Sequence, residues 1–199
     1  MPARRDVLAF ERRAARYEQG WLGSVHHTIA DRTAAIALAT LPSPRHVVDV
    51  GCGTGYLLRT LAAACPATAR LHGFDPAAAM IAAASAAARD PRLTFEVGVA
   101  EQLPVPDHTV ELMLSTTSFD HWSDQRAGLR ECARALSPGG HLVLVDQIST
   151  WLLPSLIVGR RRRARTKGRV GALLRSVGFR RWEWHPVYAL IIKAAVATA

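Results

Sequence analysis

The sequence predicts a doubly wound α/β fold, in which a mostly parallel seven-stranded sheet has helices on both faces and an antiparallel last strand. Three observations support this prediction. Short apolar runs alternate with helical patterns along the chain. The first apolar run, residues 47–50, leads directly into the glycines of "GCGTG" at 51–55. The later run "HLVLVD", at 141–146, is apolar enough for a strand buried on both faces, as in parallel sheets.

Local signals place the individual elements. Residues 3–40 should be helical because their apolar positions recur at roughly helical spacing, and the prolines of "LPSP" at 41–44 end this helix. The strands are predicted at 46–50, 70–75, 93–98, 110–115 and 141–146, and the other helices at 56–64, 76–88, 124–136 and 171–177. Two final apolar runs, 179–188 and 189–197, should pair as antiparallel strands at the sheet edge.

Length and composition fit one soluble domain. The 199 residues can bury one sizeable core, and 49% hydrophobic with 21% charged residues is an ordinary globular balance. Three widely spaced cysteines without paired ligand spacing argue against a disulfide framework and a structural zinc site, and no other metal site is predicted. The N-terminus lacks the apolar core of a signal peptide, and no apolar run approaches the ~20 residues of a membrane span. We therefore expect a cytoplasmic protein, either monomeric or homodimeric.

The net charge of +9 comes from one segment. Ten Arg or Lys residues and no acid lie between Arg160 and Arg181, which leaves 15 basic against 16 acidic residues elsewhere. The favoured interpretation of "GRRRRARTKGR" at 159–169 is a solvated lid loop. A second is attraction of an acidic small substrate or peripheral membrane contact through 151–169, because the apolar "WLLPSLIV" comes directly before the arginines. RNA binding is a third interpretation and ranks last.

The glycine turn and two acids indicate an adenosine ligand. Ligands of doubly wound sheets bind at the carboxyl ends of the strands, where Gly51, Gly53 and Gly55 fall and allow close backbone approach. Asp75 ends the next strand 20 residues after Gly55, where an acid can accept hydrogen bonds from ribose hydroxyls. The dinucleotide fingerprint would need a glycine where Tyr56 stands, which argues against a nucleotide-dependent oxidoreductase.

Four motifs occur in order over about residues 45–147: "VVDVGCGTG", "FDPAAAMIAAA", "AEQLPVPDHTVELMLSTTSFDHW" and "LRECARALSPGGHLVLVD". Together they resemble the class I S-adenosylmethionine-dependent methyltransferases, most closely the small type 11 proteins similar to ubiquinone/menaquinone-biosynthesis methyltransferases. The resemblance implies S-adenosylmethionine as cofactor and S-adenosylhomocysteine as product. It also implies one domain with a helical N-terminal cover (1–44), a cofactor-binding core (45–147) and a lid segment with a C-terminal strand pair (148–199).

The resemblance implies a set of cofactor contacts that runs from the methionine end to the adenine. They are Tyr17, Asp49, Gly51, Cys52, Gly53 and Gly55 at the methionine end, Asp75 at the ribose, Pro76 and Met80 beside the adenine, Ala100 and Glu101 along its polar edge, and Ser115 near the sulfonium. Burying Asp49 in an apolar strand is costly without a partner, which favours a functional role. Val99 departs from the family, which usually has an aspartate there for the adenine amino group. Glu101 or backbone would supply that contact, or adenine is held less tightly.

The methyl acceptor should bind beyond the fourth strand, where "FDHW" stands at 119–122. His121 is the candidate general base, with Asp120 as an alternative or as the group that orients it. Trp122 and Trp151 are candidate contacts to an apolar or aromatic small molecule. His26 and His27 are expected to be a solvent-exposed pair.

Methyl transfer to a small molecule is therefore the predicted function, with oxygen or carbon preferred over nitrogen as the acceptor atom. The reaction is a direct displacement that depends mainly on alignment and exclusion of water, so a base is not essential. Two alternatives stay open. One is an RNA methyltransferase that uses the basic 160–181 segment, and the other is an inactive S-adenosylmethionine-binding protein.

Overall fold

The computed structural model describes residues 2–148, 166–189 and 191–199, with side chains from Val7 onward. Its helices are α1 (Pro2–Arg13), α2 (Gly20–Thr40), α3 (Tyr56–Ala62), α4 (Ala78–Ala87), α5 (Gln125–Ala135) and α6 (Lys167–Ser176). Its strands are β1 (His46–Val50), β2 (Arg70–Asp75), β3 (Leu93–Val97), β4 (Val110–Thr116), β5 (Leu136–Gln147), β6 (Arg181–Tyr188) and β7 (Ile192–Thr198). No helix within these ranges is long and apolar enough to cross a membrane.

The strands form one seven-stranded sheet in the order β3-β2-β1-β4-β5-β7-β6. Strand β1 pairs in parallel with β2 on one side and with β4 on the other, so the chain reverses its direction of winding beside β1. Strand β7 runs antiparallel between β5 and β6. The predicted fold class is confirmed, and the reversal beside β1 creates a crevice at the carboxyl ends of β1 and β4.

Apolar residues alternate along the strands and build a cluster on each face of the sheet. One cluster contains the fully buried Phe74 and Phe119, with Leu129 of α5 packed against them. The other contains Leu71 and, from α3, Leu58 and Leu61. Both faces are therefore covered by helices, which holds the carboxyl ends of the strands in fixed positions.

The N-terminal segment is not the continuous helix that its spacing predicts. A 3₁₀ turn at Ala14–Arg16 and an extended Gln19 separate α1 from α2. Gly20 then takes a left-handed φ of +68°, and a Cβ on Gly23 would overlap the backbone of Glu18. Apolar residues keep the helical spacing in both α1 and α2, so the sequence pattern does not reveal the break between them.

Pro76 also lies outside the helix that the sequence predicts it to begin. Helix α4 starts at Ala78, since the Asp75 carboxylate accepts a hydrogen bond from the Ala77 N–H at 2.9 Å and closes a turn first. Pro76 is therefore a loop residue at the carboxyl end of β2 and lines the cleft described below.

Candidate active site

The glycine turn after β1 is held against the end of β2. The backbone N–H groups of Gly51 and Cys52 both donate to the carbonyl of Phe74, at 2.7 and 3.0 Å. Gly51 has a φ of +78°, and a Cβ there would overlap the side chain of Ser118. Only glycine meets both conditions, so this position is fixed by backbone geometry and by the neighbouring loop.

Gly55 has a structural role in the same turn. Its φ is +76°, and a Cβ would come within 2.5 Å of the Phe95 ring. It precedes α3 directly, and it is not among the residues that line the clefts. Gly55 thus occupies a helix-start position packed on β3, and its predicted cofactor contact stays a prediction.

Asp75 joins the glycine turn to the start of α4. One carboxylate oxygen accepts from the Gly53 N–H at 3.0 Å and the other from the Ala77 N–H. Burial raises the pKa of Asp75, and the two backbone hydrogen bonds oppose that rise. A carboxylate has about four acceptor positions, so each oxygen can still accept a hydrogen bond from a ligand hydroxyl.

Asp49 is the least satisfied acid of the site. Its side chain is only 2% exposed, and its Oδ1 atom has no hydrogen-bond partner in the described part of the chain. Burial, and then the negative charge of Asp75, raise the pKa of Asp49 to about 8. A cationic group that entered beside Asp49 would relieve both costs.

Two adjoining clefts open at the carboxyl ends of β1, β2 and β4. The larger has about 790 Å³ of open space and the smaller about 480 Å³. The larger is lined by ten of the predicted site residues: Tyr17, Gly51, Gly53, Asp75, Pro76, Met80, Ala100, Glu101, His121 and Trp122. Asp49 and Cys52 line the smaller one. Tyr17, Gly51 and Gly53 line both, so one elongated ligand could occupy the two clefts together.

All four buried polar side-chain atoms that lack a hydrogen-bond partner in the described ranges belong to residues that line these clefts. They are Asp49 Oδ1, Thr116 Oγ1, Trp122 Nε1 and His27 Nε2, the last of which lies 3.5 Å from a carboxylate oxygen of Glu18. An unpartnered buried polar atom costs about 1–3 kcal/mol, and native proteins contain few of them. Their concentration at one place indicates a ligand with several polar groups.

Two predicted residues, Ser115 and Asp120, are buried behind the cleft wall, and a third lies outside the described residues. Ser115 is fully buried, and its hydroxyl hydrogen-bonds the hydroxyl of Ser118, which lines the larger cleft in its place. Asp120 is buried, and its backbone N–H donates to Asp146 at 3.0 Å, whereas His121 lines the cleft. Trp151 lies outside the described residues, as do residues 149–165 as a whole.

The sequence reasoning misses several cleft residues. Phe10 of α1 lines the larger cleft and meets the His121 ring edge-on at 5.1 Å. Thr117, directly after β4, has a φ of +54°, which is strained for a β-branched residue and typical of functional sites. Only Phe10 had a usable signal, because it stands on the apolar face of α1; backbone strain cannot be seen in a sequence.

The histidine pair is not the solvent-exposed pair that the sequence predicts. His26 stacks on Tyr17 at 4.9 Å and His27 stacks on Tyr56 at 3.9 Å, and both histidines line the smaller cleft. Burial lowers the pKa of His26. The stacks fix the start of α2 over the glycine turn.

Two other predicted positions concern the adenine side and the cysteine. Val99 lines the larger cleft without a polar group, and Glu101 beside it accepts a hydrogen bond from the Asp124 N–H at 2.8 Å. The Cys52 thiol is buried, and burial followed by the charges of Asp49 and Asp75 raises its pKa. A thiol that stays protonated is a poor nucleophile, which leaves Cys52 as a small wall residue.

Comparison with known proteins is consistent with this site. Residues 47–140 match the family model described as a methyltransferase domain. A demethylmenaquinone methyltransferase from Deinococcus radiodurans is 36% identical over 116 residues, covering 58% of this chain and 48% of that protein. A malonyl-[acyl-carrier protein] O-methyltransferase from Hahella chejuensis is 34% identical over 108 residues, covering 54% and 38%. The matches thus span less than half of these relatives.

A solved structure has the same fold over almost its whole length. It is a chain from the complex between the Haloferax volcanii Trm112 methyltransferase activator and a methyltransferase. The two folds superpose with a TM-score of 0.79 at 23% identity, over 96% of this chain and 97% of that one. At this level of identity the likeness concerns the fold alone.

Proposed function

Because the chain carries a methyltransferase domain of the class I S-adenosylmethionine-dependent family, we propose that it transfers the cofactor's methyl group to a small-molecule acceptor. The observation that supports this most directly is the group of unpartnered polar atoms around two joined clefts. Asp49, Thr116 and Trp122 each contribute one of these atoms to the lining of the clefts. S-adenosylmethionine supplies a methyl group already activated by a sulfonium.

The residues present fit this cofactor. Asp49, buried and unpartnered, would bind the ammonium group of the amino acid end, since a cation stabilises its carboxylate form. Asp75 keeps free acceptor positions for the ribose hydroxyls. Pro76 and Met80 would flank the adenine, with Ala100 and Glu101 along its edge. Val99 is apolar, so its side chain cannot accept a hydrogen bond from the adenine. The nearest carboxylate acceptor in sequence is the second oxygen of Glu101.

The protein's contribution to catalysis would be alignment and exclusion of water. Phe10 and Val7 of α1 form part of the cleft wall and shield it. His121 is the titratable group of the cleft placed to take a proton from the acceptor, and its ring is held by Phe10. Asp75 and Asp146 both interact electrostatically with His121.

A proton acceptor at the cleft favours oxygen or acidic carbon as the methylated atom, because both lose a proton during the reaction. The malonyl-[acyl-carrier protein] relative is an O-methyltransferase by name, which supports the same preference. The apolar character of Val7, Phe10 and Trp122 in the cleft fits an apolar or aromatic acceptor.

Ligand binding tests the cofactor assignment. Isothermal titration with S-adenosylhomocysteine should give binding in the micromolar range, and NAD should give none. Asp75→Asn should weaken S-adenosylhomocysteine at least tenfold, whereas Glu183→Gln, an exposed carboxylate on β6, should not. Binding of NAD alone would contradict the proposal, and an unchanged affinity in Asp75→Asn would remove Asp75 from the site.

Turnover tests the acceptor class. Purified protein with radiolabelled S-adenosylmethionine should label a hydroxyl-bearing or acidic-carbon small molecule from a panel that includes demethylmenaquinone analogues, malonyl thioesters, amines and transfer RNA. Label in amines or RNA only would contradict the proposed acceptor. Tight cofactor binding without turnover on any acceptor would favour an inactive binding protein.

A further inference from the structure

The outer side of the N-terminal cover exposes an unusual set of apolar side chains. Trp21 is 76% exposed, Leu8 is 54% exposed and Leu22 is 52% exposed. Within the described ranges these are three of the five large hydrophobic side chains that solvent reaches freely. Leu8 lies on α1, and Trp21 and Leu22 lie in the first turn of α2. We refer to Leu8, Trp21 and Leu22, together with the exposed residues Arg12, Arg13 and Arg16, as the outer cover surface.

Arg12, Arg13 and Arg16 are exposed on the same cover. The guanidinium of Arg12 donates to the carbonyl of Leu8 at 3.2 Å, which keeps it one helical turn from that leucine. No carboxylate in the described part of the chain forms an ion pair with any of the three arginines. Their charge is therefore not neutralised by an ion pair, although that of Arg13 also acts on Tyr17 and His26 at the clefts.

The acidic side chains of residues 7–22 contact α3 and α4. Between Val7 and Leu22 the only acids are Glu11 and Glu18. Glu11 accepts from the backbone N–H groups of Ala78 and Ala79 in α4, and Glu18 pairs with Arg59 of α3 at 2.8 Å. The cover thus engages both acids in internal contacts and leaves cations and apolar groups exposed.

The same cover forms a wall of the larger cleft. Val7, Phe10 and Tyr17 line that cleft from the inside, a few residues from Leu8 and Trp21 in sequence. A body that contacted the outer cover surface would therefore lie close to the cleft. Arginines beside exposed Trp and Leu are typical of helices that bind at an anionic lipid interface, where the aromatic ring enters the headgroup region.

From this charge complementarity we infer that the outer cover surface docks on an anionic lipid membrane, with Trp21 and Leu22 in the headgroup region and Arg12, Arg13 and Arg16 at the lipid phosphates. This inference does not depend on the methyl-transfer proposal. It also differs in place from contact through residues 151–169, and the experiment separates the two.

Vesicle binding of the full chain tests it. The protein should bind phosphatidylcholine vesicles containing about 30% phosphatidylglycerol and should bind pure phosphatidylcholine vesicles at least tenfold more weakly. Trp21→Ser with Leu22→Ser should lower the affinity for the anionic vesicles about tenfold or more. Arg12→Gln, Arg13→Gln and Arg16→Gln together should lower it about 100-fold. All these side chains are exposed, so the far-UV circular dichroism of the variants should match that of the unsubstituted protein, which reports that the variants are folded.

A positional readout distinguishes the two basic regions. Brominated lipid chains should quench part of the tryptophan fluorescence, and Trp21→Phe should remove that quenching, whereas Trp151→Phe should retain it. As the matched charge variant, Arg160–Arg163 changed to Gln should keep the dependence on Trp21. Vesicle affinity unaffected by Trp21→Ser with Leu22→Ser, quenching lost only in Trp151→Phe, or no vesicle binding would each overturn the inference.

Discussion

Glu11 of α1 accepts a hydrogen bond from the backbone N–H of Ala78, the first residue of α4, at 2.7 Å, although 67 positions separate them in the chain. Its other carboxylate oxygen accepts from the next N–H, that of Ala79, at 2.9 Å. Helix α4 receives no side-chain cap from its own N-cap residue, Ala77. Glu11 therefore caps α4 from outside and fastens the cover to the wall that begins with Asp75 and Pro76.

Removing this cap should loosen the cover. Glu11→Ala should lower the free energy of unfolding by about 1 kcal/mol, the usual value of an N-cap, and should speed S-adenosylhomocysteine dissociation several-fold in stopped-flow measurements. Trypsin should also cut faster at Arg13 and Arg16. Arg12→Ala, an exposed residue of the same helix, is the control. A loss of stability with an unchanged dissociation rate would show that the cap does not govern ligand release.

Gly51 offers a second test, with a matched control elsewhere in the fold. Gly51→Ala combines a left-handed φ with an overlap at Ser118, whereas Gly139→Ala has a φ of +80° and open space around the new Cβ. Both should lose about 1 kcal/mol from backbone strain, and Gly51→Ala should lose more and bind S-adenosylhomocysteine poorly. Urea unfolding and titration measure the two effects. Adding Ser118→Gly to Gly51→Ala should recover part of the loss, and no recovery would contradict the steric account.

The sequence predicts the sheet well because each strand carries its own local signal. Strands β1 and β2 begin and end at the predicted residues, and the antiparallel edge pair is found as predicted. The acids Asp49 and Asp75 are also found at the clefts, because Asp49 is the next-to-last residue of β1, just before the glycine turn, and Asp75 is the last residue of β2.

What the sequence does not predict depends on contacts between distant segments. The break before Gly20 reflects the close passage of Gly23 past Glu18, and the burial of Ser115 reflects its partner Ser118. The stacking of His26 on Tyr17 requires the turn at that break. These arrangements come from tertiary packing, which neither periodicity nor motif spacing contains.

Asp49 predicts a pH dependence of cofactor binding. Its pKa of about 8 means that the carboxyl is mostly protonated in the free protein at neutral pH. A bound ammonium favours the carboxylate, so binding releases a proton, and affinity should rise with pH by up to about tenfold per unit below pH 8.

Titration calorimetry in two buffers of different ionisation enthalpy would measure this proton release between about pH 6 and 7.5. Asp75 and Cys52 interact electrostatically with Asp49, and His26 and His27 line the same cleft, so the comparison with an Asp49 variant isolates the proton that Asp49 releases. Asp49→Asn should abolish the slope and weaken binding. A wild-type affinity that is flat or falls with pH would contradict the proposed ammonium contact.

His121 predicts a separation of turnover from binding. His121→Gln keeps a polar side chain beside Phe10 but removes the proton acceptor. On a hydroxyl acceptor, kcat should fall about 100-fold or more, while the Kd of S-adenosylhomocysteine should change less than about threefold. Equal kcat in both proteins would show that no base at this position is used.

Thr116 gives a prediction in which stability and binding move in opposite directions. Its Oγ1 atom is buried at the end of β4, in the wall of both clefts, without a partner among the residues described. Thr116→Val replaces that hydroxyl by a methyl group of nearly the same shape and suits a strand. It should raise the free energy of unfolding of the unliganded protein by about 1 kcal/mol and weaken S-adenosylhomocysteine several-fold.

The control is the same substitution at Thr33 of α2. This residue is fully buried, and its hydroxyl already donates to the carbonyl of Ile29 at 2.8 Å. Thr33→Val removes a satisfied hydrogen bond, so it should lower stability or leave it unchanged, with no effect on ligand affinity. If Thr116→Val behaves in the same way, the Thr116 hydroxyl does not bind the ligand. A gain in stability for Thr116→Val alone, together with a loss of affinity, would show that the Thr116 hydroxyl has no hydrogen bond in the free protein and forms one with the cofactor.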